Sequence, residues 1–300
     1  MKRDLLSIRD LTKEEIYYLF DKATAFKKGE VSQSLRNKAV ALVFEKASTR
    51  TRISFEVGTS KLGGHPIVLT SGGSQMARGE PLKDTARVLG RYCDMIVMRT
   101  YAHSNIEEMA KFADVPVINA LTDLLHPCQV LSDCYTIIER FGGIEGRKVA
   151  WIGDGFNMAN SWINAAALLG FELMLACPKG YEPDAGILDK AIRQRAKVSL
   201  VNDPILAVKG AIAVNTDVWA SMGQEEETLA RAKAFDGYKV TSQIMSHALN
   251  DAVFMHCLPA HRDEEVSEEV FEGPSSIVWD QAGNRLYVQE AIMDFLAVYK

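Results

Sequence analysis

The chain has 300 residues, of which 47% are hydrophobic and 24% charged, the profile of an ordinary compact globular protein long enough for about two domains. That excludes a disulfide-stapled miniprotein, a disordered chain and a fibrous repeat. The 34 Lys+Arg against 39 Asp+Glu leave a net charge of −5, which argues against a general polyanion coat while leaving room for a local anion site.

In chain order, Thr12 and Glu15 have the spacing of a capping box and open an amphipathic helix to about residue 28. The first strand is AVALVF (39–44), followed by a polar turn and a helix from about Arg50 to Leu62 that Gly63-Gly64 ends. PIVLT (66–70) is the next strand, and the Gly- and Ser-rich stretch 71–80 is a loop. A helix from Pro81 leads to strand DMIVMR (94–99), a helix over 104–112 and strand VPVIN (115–119). Residues 126–141 have helical apolar spacing and end at Gly142-Gly143, an inter-domain connector that places domains at 1–140 and 141–282. The second series is KVAWIG (148–153), a helix over 157–169, FELMLA (171–176), a helix over 184–195, strand VSLV (198–201) and AIAVN (211–215). A helix over 225–234, VFMHC (253–257), a helix over 263–270, strand SIVWD (276–280) and an amphipathic helix over 281–300 complete it. Strands alternating with helices predict an α/β fold of two similar domains, each a mainly parallel sheet flanked by helices.

Five cysteines (Cys93, Cys128, Cys134, Cys177, Cys257) without CxxC spacing read as reduced thiols. MKRDLLSIRDLTKEE carries charge too early for a signal peptide, and no apolar run nears the ~20 residues that span a bilayer. The expected location is the cytoplasm.

Ligands of open parallel sheets bind beyond the carboxyl ends of the strands, so residues following each strand are the candidates. Ser48-Thr49-Arg50-Thr51 opens the helix after the first strand, where unpaired N–H groups and the positive dipole end favour phosphate. A lone serine there would be a plain N-cap, but three hydroxyls and two arginines within 48–52 exceed that need. Arg99 ends the third strand, and His126 and Gln129 lie three residues apart at the connector helix, together a donor cluster for a carbonyl gaining negative charge. Gly153-Asp154-Gly155 resembles the start of a dinucleotide fingerprint, yet the third glycine position holds Met158. Asp217 follows strand AIAVN, with Ser221-Met222-Gly223 beyond it, and His256-Cys257-Leu258-Pro259 ends another strand. Cys257 and His261 have the spacing of a ligand pair, but His256 would point the opposite way on the strand and no second Cys/His pair lies nearby, so no metal site is expected.

Taken together, STRT at 48–51, HPCQ at 126–129, DVWASMG at 217–223 and HCLP at 256–259 resemble, in order and spacing, the aspartate/ornithine carbamoyltransferase superfamily and specifically its ornithine branch. The resemblance implies that Ser48, Thr49, Arg50, Thr51, Arg99 and Arg285 hold the phosphate of carbamoyl phosphate. It implies that Thr51, Arg99 and His126 polarise the carbamoyl carbonyl, while Gln129, Cys257 and Leu258 hold its nitrogen. Asn157, Asp217, Ser221 and Met222 would bind L-ornithine, and Asp217 and Cys257 would attend the attacking amine. Gln75 matches a residue that reaches a neighbouring subunit's site, implying a homotrimer or a multiple of one, and the last helix, about 283–300, would pack back onto the first domain. Citrulline and phosphate would be the products, in arginine biosynthesis or, reversed, its catabolism. The resemblance implies no cofactor, no nucleic acid and no membrane. Phe156 departs from the family pattern, in which Asn is frequent.

Overall fold

The structure, a computed structural model, describes residues 2–70, 79–220 and 228–299. The chain divides into two compact units, Met1–Leu131 with Gly283–Lys300, and Ser132–Ala282.

In the first unit α1 (Lys13–Lys27) starts at the expected capping box, with the Thr12 side chain accepting from the Glu15 N–H and the Glu15 carboxylate accepting from the Thr12 N–H. It is followed by β1 (Ala39–Phe44), α2 (Arg50–Lys61), β2 (His65–Thr70), α3 (Leu82–Tyr92), β3 (Met95–Arg99), α4 (His103–Phe112), β4 (Val117–Leu121) and α5 (Pro127–Phe141). The four strands are parallel in the order β2-β1-β3-β4. Central β1 is an almost continuous buried run, as a strand covered on both faces should be, whereas edge strand β2 is only partly covered.

The second unit holds β5 (Lys148–Ile152), α6 (Asn157–Leu169), β6 (Glu172–Ala176), α7 (Ala185–Arg193), β7 (Val198–Val201), α8 (Pro204–Val208) and β8 (Ala213–Thr216). It continues through α9 (Thr228–Ala234), α10 (Ser242–Met245), β9 (Val253–His256), α11 (Glu268–Phe271) and the start of α12 (Val278–Val298), whose remainder belongs to the first unit. Its strands are parallel in the order β7-β6-β5-β8-β9. Among the described residues, no helix is long and apolar enough to cross a membrane.

Three elements differ from expectation. The strand at 276–280 does not form: only Ser276 bridges Phe254, and α12 takes over at Val278 with Asp280 in its first turn, where the helix dipole favours an acid. The helix at 263–270 shrinks to α11, because Asp263 lies at φ +67°, a left-handed conformation no α-helix tolerates, and Ser267 caps the chain afresh. The strand at 115–119 sits two residues later, starting after Pro116, which has no N–H to give the ladder. Helices α8 and α10 were not expected; their side-chain caps at Asp203 and Thr241 are local signals that four- and five-residue helices hide from periodicity.

Candidate active site

Both sheets reverse their strand order once, between β1 and β3 in one unit and between β5 and β8 in the other. At such a point neighbouring crossovers diverge to opposite faces and leave a crevice beyond the strand ends. Ser48–Thr51 and Arg99 emerge at the first crevice, and Asn157 and Asp217 at the second.

In the first unit, the chain leaving β1 reaches α2 through Lys46–Thr49. Thr49 occupies the N-cap without a side-chain capping bond, so its hydroxyl and the first amides of α2 remain available to an anion. The Arg99 guanidinium, at the end of β3, donates to Ser48 Oγ at 3.1 Å. Arg285, buried on α12, donates to Thr51 Oγ1 at 2.6 Å. Arg50 is half-buried, and its Nε meets no hydrogen-bond partner among the described residues. A cavity of about 450 Å³ opens beside this turn, lined by Lys46, Ser48, Thr49 and Arg52.

His126 and Gln129, both buried, lie at the start of α5. Burial, and then the neighbouring Arg285 and Arg99 charges, hold the His126 imidazole well below its ordinary value of 6.5, so it is neutral at pH 7. A neutral imidazole there is a hydrogen-bond donor or acceptor and adds no third positive charge. Burial also pushes the Cys128 thiol up to about 12, which removes it as a nucleophile.

In the second unit, Asn157 is the first residue of α6, and the Thr216 hydroxyl at the end of β8 donates to the Ile152 carbonyl at the end of β5 at 2.7 Å, locking the two strand ends together. Asp217 comes next. Its Oδ1 accepts from the Val218 N–H at 2.8 Å and from the Cys257 thiol at 3.1 Å. Burial raises the Asp217 carboxyl above the usual carboxylate value of 3.8, against the lowering influences of His256 and these two donors.

His256 does not point away from Cys257 and Asp217. Ligand atoms of the three lie within 4.8 Å of one another, because β9 ends at His256 and strand alternation no longer governs Cys257. The imidazole is nevertheless fully engaged: Nδ1 accepts from the Leu258 N–H at 2.9 Å, so Nε2 carries the proton and donates to Glu265 at 3.0 Å. Neither ring nitrogen is left for a metal. Leu258 itself sits at φ +62°, a conformation bulky residues avoid and that the Glu265–His256 contact helps hold. The Gln281 amide supports the same turn, accepting from the His256 N–H at 2.9 Å and donating to Asp133 at 2.7 Å.

Sequence reasoning missed Glu265, Gln281 and Asp133, whose spacing carries no motif. Gln75, Ser221 and Met222 lie outside the described residues. The glycines that suggested a dinucleotide turn serve the chain itself: a Cβ at Gly155 would stand 2.2 Å from the Pro183 nitrogen, and the Gly155 N–H donates to the Tyr181 carbonyl.

Comparison with known proteins agrees with this layout. The carbamoyl-P binding domain of aspartate/ornithine carbamoyltransferase matches residues 3–139, and the Asp/Orn binding domain of the same family matches residues 145–296. An ornithine carbamoyltransferase of Geobacter sulfurreducens is 54% identical over 299 residues, 98% of each chain. Among solved structures, the ornithine carbamoyltransferase from Pyrococcus furiosus is 47% identical with a TM-score of 0.93, covering 97% of this chain and 96% of that one. The anabolic ornithine carbamoyltransferase from Campylobacter jejuni is 44% identical with a TM-score of 0.94, covering 99% of both. In fold, in the order of its motifs and along its whole length, the chain belongs to the aspartate/ornithine carbamoyltransferase family.

Proposed function

We propose that the protein transfers the carbamoyl group of carbamoyl phosphate to the δ-amine of L-ornithine, giving L-citrulline and phosphate. The observation that carries this reading is the pairing of a cationic, hydroxyl-rich helix start at one switch point with a carboxylate–thiol pair at the other. Full-length relatives named ornithine carbamoyltransferase support it.

The first unit takes carbamoyl phosphate and the second L-ornithine, with the boundary near residue 140 and the last helix, about 283–300, counted with the first. Ser48, Thr49, Arg50, Thr51 and Arg285 receive the phosphate. Arg99 and His126 donate to the carbamoyl oxygen, whose charge grows as the tetrahedral intermediate forms. Gln129 and the Cys257–Leu258 backbone hold the carbamoyl nitrogen. Asn157, Asp217, Ser221 and Met222 bind the amino acid.

An alkyl amine has a pKa near 10.4, so presenting it neutral at pH 7 costs about 4–5 kcal/mol. The Cys257 thiol donates to Asp217, so in this reading its sulfur accepts a hydrogen bond that orients the amine, while the second Asp217 oxygen receives the amine proton. Attack on the carbonyl carbon forms the C–N bond; collapse breaks the bond to the phosphate oxygen, and phosphate leaves on the arginines.

A ureido-product assay tests the reaction, with carbamoyl phosphate offered against L-ornithine, N-acetyl-L-ornithine, putrescine and L-aspartate. Ornithine should react fastest, because Asp217 suits a free α-amino group; a faster rival overturns the assignment.

We further propose a homotrimer, or a multiple of one, in which the Gln75 segment completes a neighbour's site. Support comes from the exposed Ile53 and Val57, one helical turn apart on α2 beside a groove of about 680 Å³. Sedimentation at working concentration checks it, and a monomer would sink it. The free state of all five cysteines supports a reducing location, the cytoplasm.

A further inference from the structure

Among the described residues of the second unit, Arg231 is a buried cation to which the proposed reaction gives no role. Arg231, on α9, is 5% exposed. Its Nη1 donates to Asp154 Oδ2 at 2.5 Å and to the Trp219 carbonyl at 2.8 Å, and its guanidinium lies over the Tyr181 ring, 4.8 Å from the centroid. Phe235, one turn further along the chain, stacks on Trp219 at 5.6 Å and meets Tyr181 edge-on at 4.9 Å. Tyr181 in turn accepts the Gly155 N–H through its carbonyl at 2.8 Å.

Three separate segments thus share one guanidinium. Asp154 belongs to the turn after β5, three residues before Asn157. Trp219 follows β8, two residues after Asp217. Tyr181 lies in the loop after β6. A well-packed apolar trio would hold these segments at least as stably, since burying an ion pair forfeits hydration that the attraction only returns when geometry is good. What an apolar trio lacks is direction: two hydrogen bonds, one of them also an ion pair, fix one register between Asp154 and Trp219, where packing alone tolerates several.

We propose that Arg231, acting through Asp154 and Trp219, is a positioning residue for the amino-acid substrate, fixing the Asn157 and Asp217 sides of the second crevice in one geometry. The proposal rests on the assignment of that crevice to ornithine. It predicts that the ion pair governs affinity for the amine substrate, leaves the affinity for carbamoyl phosphate alone, and contributes little to folding.

Removing one partner leaves a buried charge alone and endangers folding, so the decisive variant removes both charges together, Asp154→Asn with Arg231→Met. Its thermal midpoint should stay near that of the unaltered protein. Its KM for ornithine should rise about tenfold, with the KM for carbamoyl phosphate within about twofold. Arg231→Lys, which keeps the charge but has no planar guanidinium to lie over the Tyr181 ring, should fall between the two. Parallel changes in both KM values, or no change in either, overturn the proposal. Should the unaltered protein form no citrulline, the ornithine assignment fails and amide exchange at residues 217–220 decides the positioning: faster exchange in the folded double variant upholds it, and unchanged exchange overturns it.

Discussion

The two crevices are built by one topological rule and filled with opposite chemistry. In the first unit the switch point between β1 and β3 gathers Arg50, Arg99 and Arg285 around hydroxyls and a helix start, and burial, with the Arg285 and Arg99 charges, keeps His126 neutral. In the second, the switch point between β5 and β8 gathers a carboxylate and a thiol, and the buried cation Arg231 is already paired with Asp154. Parallel sheets supply the crevice; the side chains at the strand ends decide whether an anion or an ammonium group is welcome.

The largest expected effect lies on the cationic side. Arg50→Ala should raise the KM for carbamoyl phosphate about 10³-fold, roughly 4 kcal/mol, because a charge-assisted phosphate contact is lost from a half-buried site. The KM for ornithine should stay within a few-fold. Equal losses for both substrates in initial-rate kinetics would break the division between the crevices.

Gly155→Ala tests the second unit's scaffold. The new Cβ would meet backbone, 2.2 Å from the Pro183 nitrogen and 2.3 Å from the Glu182 carbonyl carbon, and backbone cannot step aside cheaply. A loss of about 3 kcal/mol is expected in denaturant unfolding. Gly58→Ala in the first unit is the control: its nearest neighbour, at 2.9 Å, is the flexible tip of Met293, so the loss should be about 1 kcal/mol. Comparable losses at both sites would mean that the close approach at Gly155 does not constrain the fold.

These residues also show what was legible in the sequence. The strand-end motifs were readable because function concentrates charge and hydroxyls where packing has no use for them, as at Ser48–Thr51 and His256–Leu258. The parallel sheets were readable because buried β strands are apolar runs. The carboxylates behind the site were not. Glu265 reaches His256 from nine residues downstream, and Arg231 reaches Asp154 across 77 residues. Only the tertiary fold brings such partners together, and no periodicity marks them. The expected opposition of His256 and Cys257 failed for a related reason: alternation is a property of a strand, and the strand stops between them.

Next in size is Asp217→Asn, which should lower kcat/KM for ornithine about 10²-fold while leaving carbamoyl phosphate binding intact. Asparagine keeps the shape but gives the amine neither charge nor a basic oxygen. Because the rate-limiting amine must be neutral, kcat/KM in the unaltered protein should climb with pH through the neutral range. A loss confined to carbamoyl phosphate in D217N would reverse the assignment of the crevices.

The smallest effect separates the two units by the sign of their pH dependence. His126 is held below 6.5 when folded, by burial and by Arg285 and Arg99, and returns to about 6.5 when unfolded. Below pH 6.5 the unfolded chain therefore binds a proton that the folded chain refuses, so stability falls as pH falls, by about 1.4 kcal/mol per unit from this residue. His103, lowered by burial in the same unit, acts in the same direction. Asp217 does the reverse: its folded carboxyl is raised above 3.8 by burial, so the folded state binds the proton more readily and its contribution grows as pH falls through the folded value towards 3.8. Unfolding followed from pH 7 to pH 5, with probes in each unit, should show the first unit losing stability and His126→Asn removing about 1.4 kcal/mol per pH unit of that loss. An unchanged slope in H126N would mean that His126 is already protonated in the folded protein, and its place as a neutral donor in the anion crevice would fall with it.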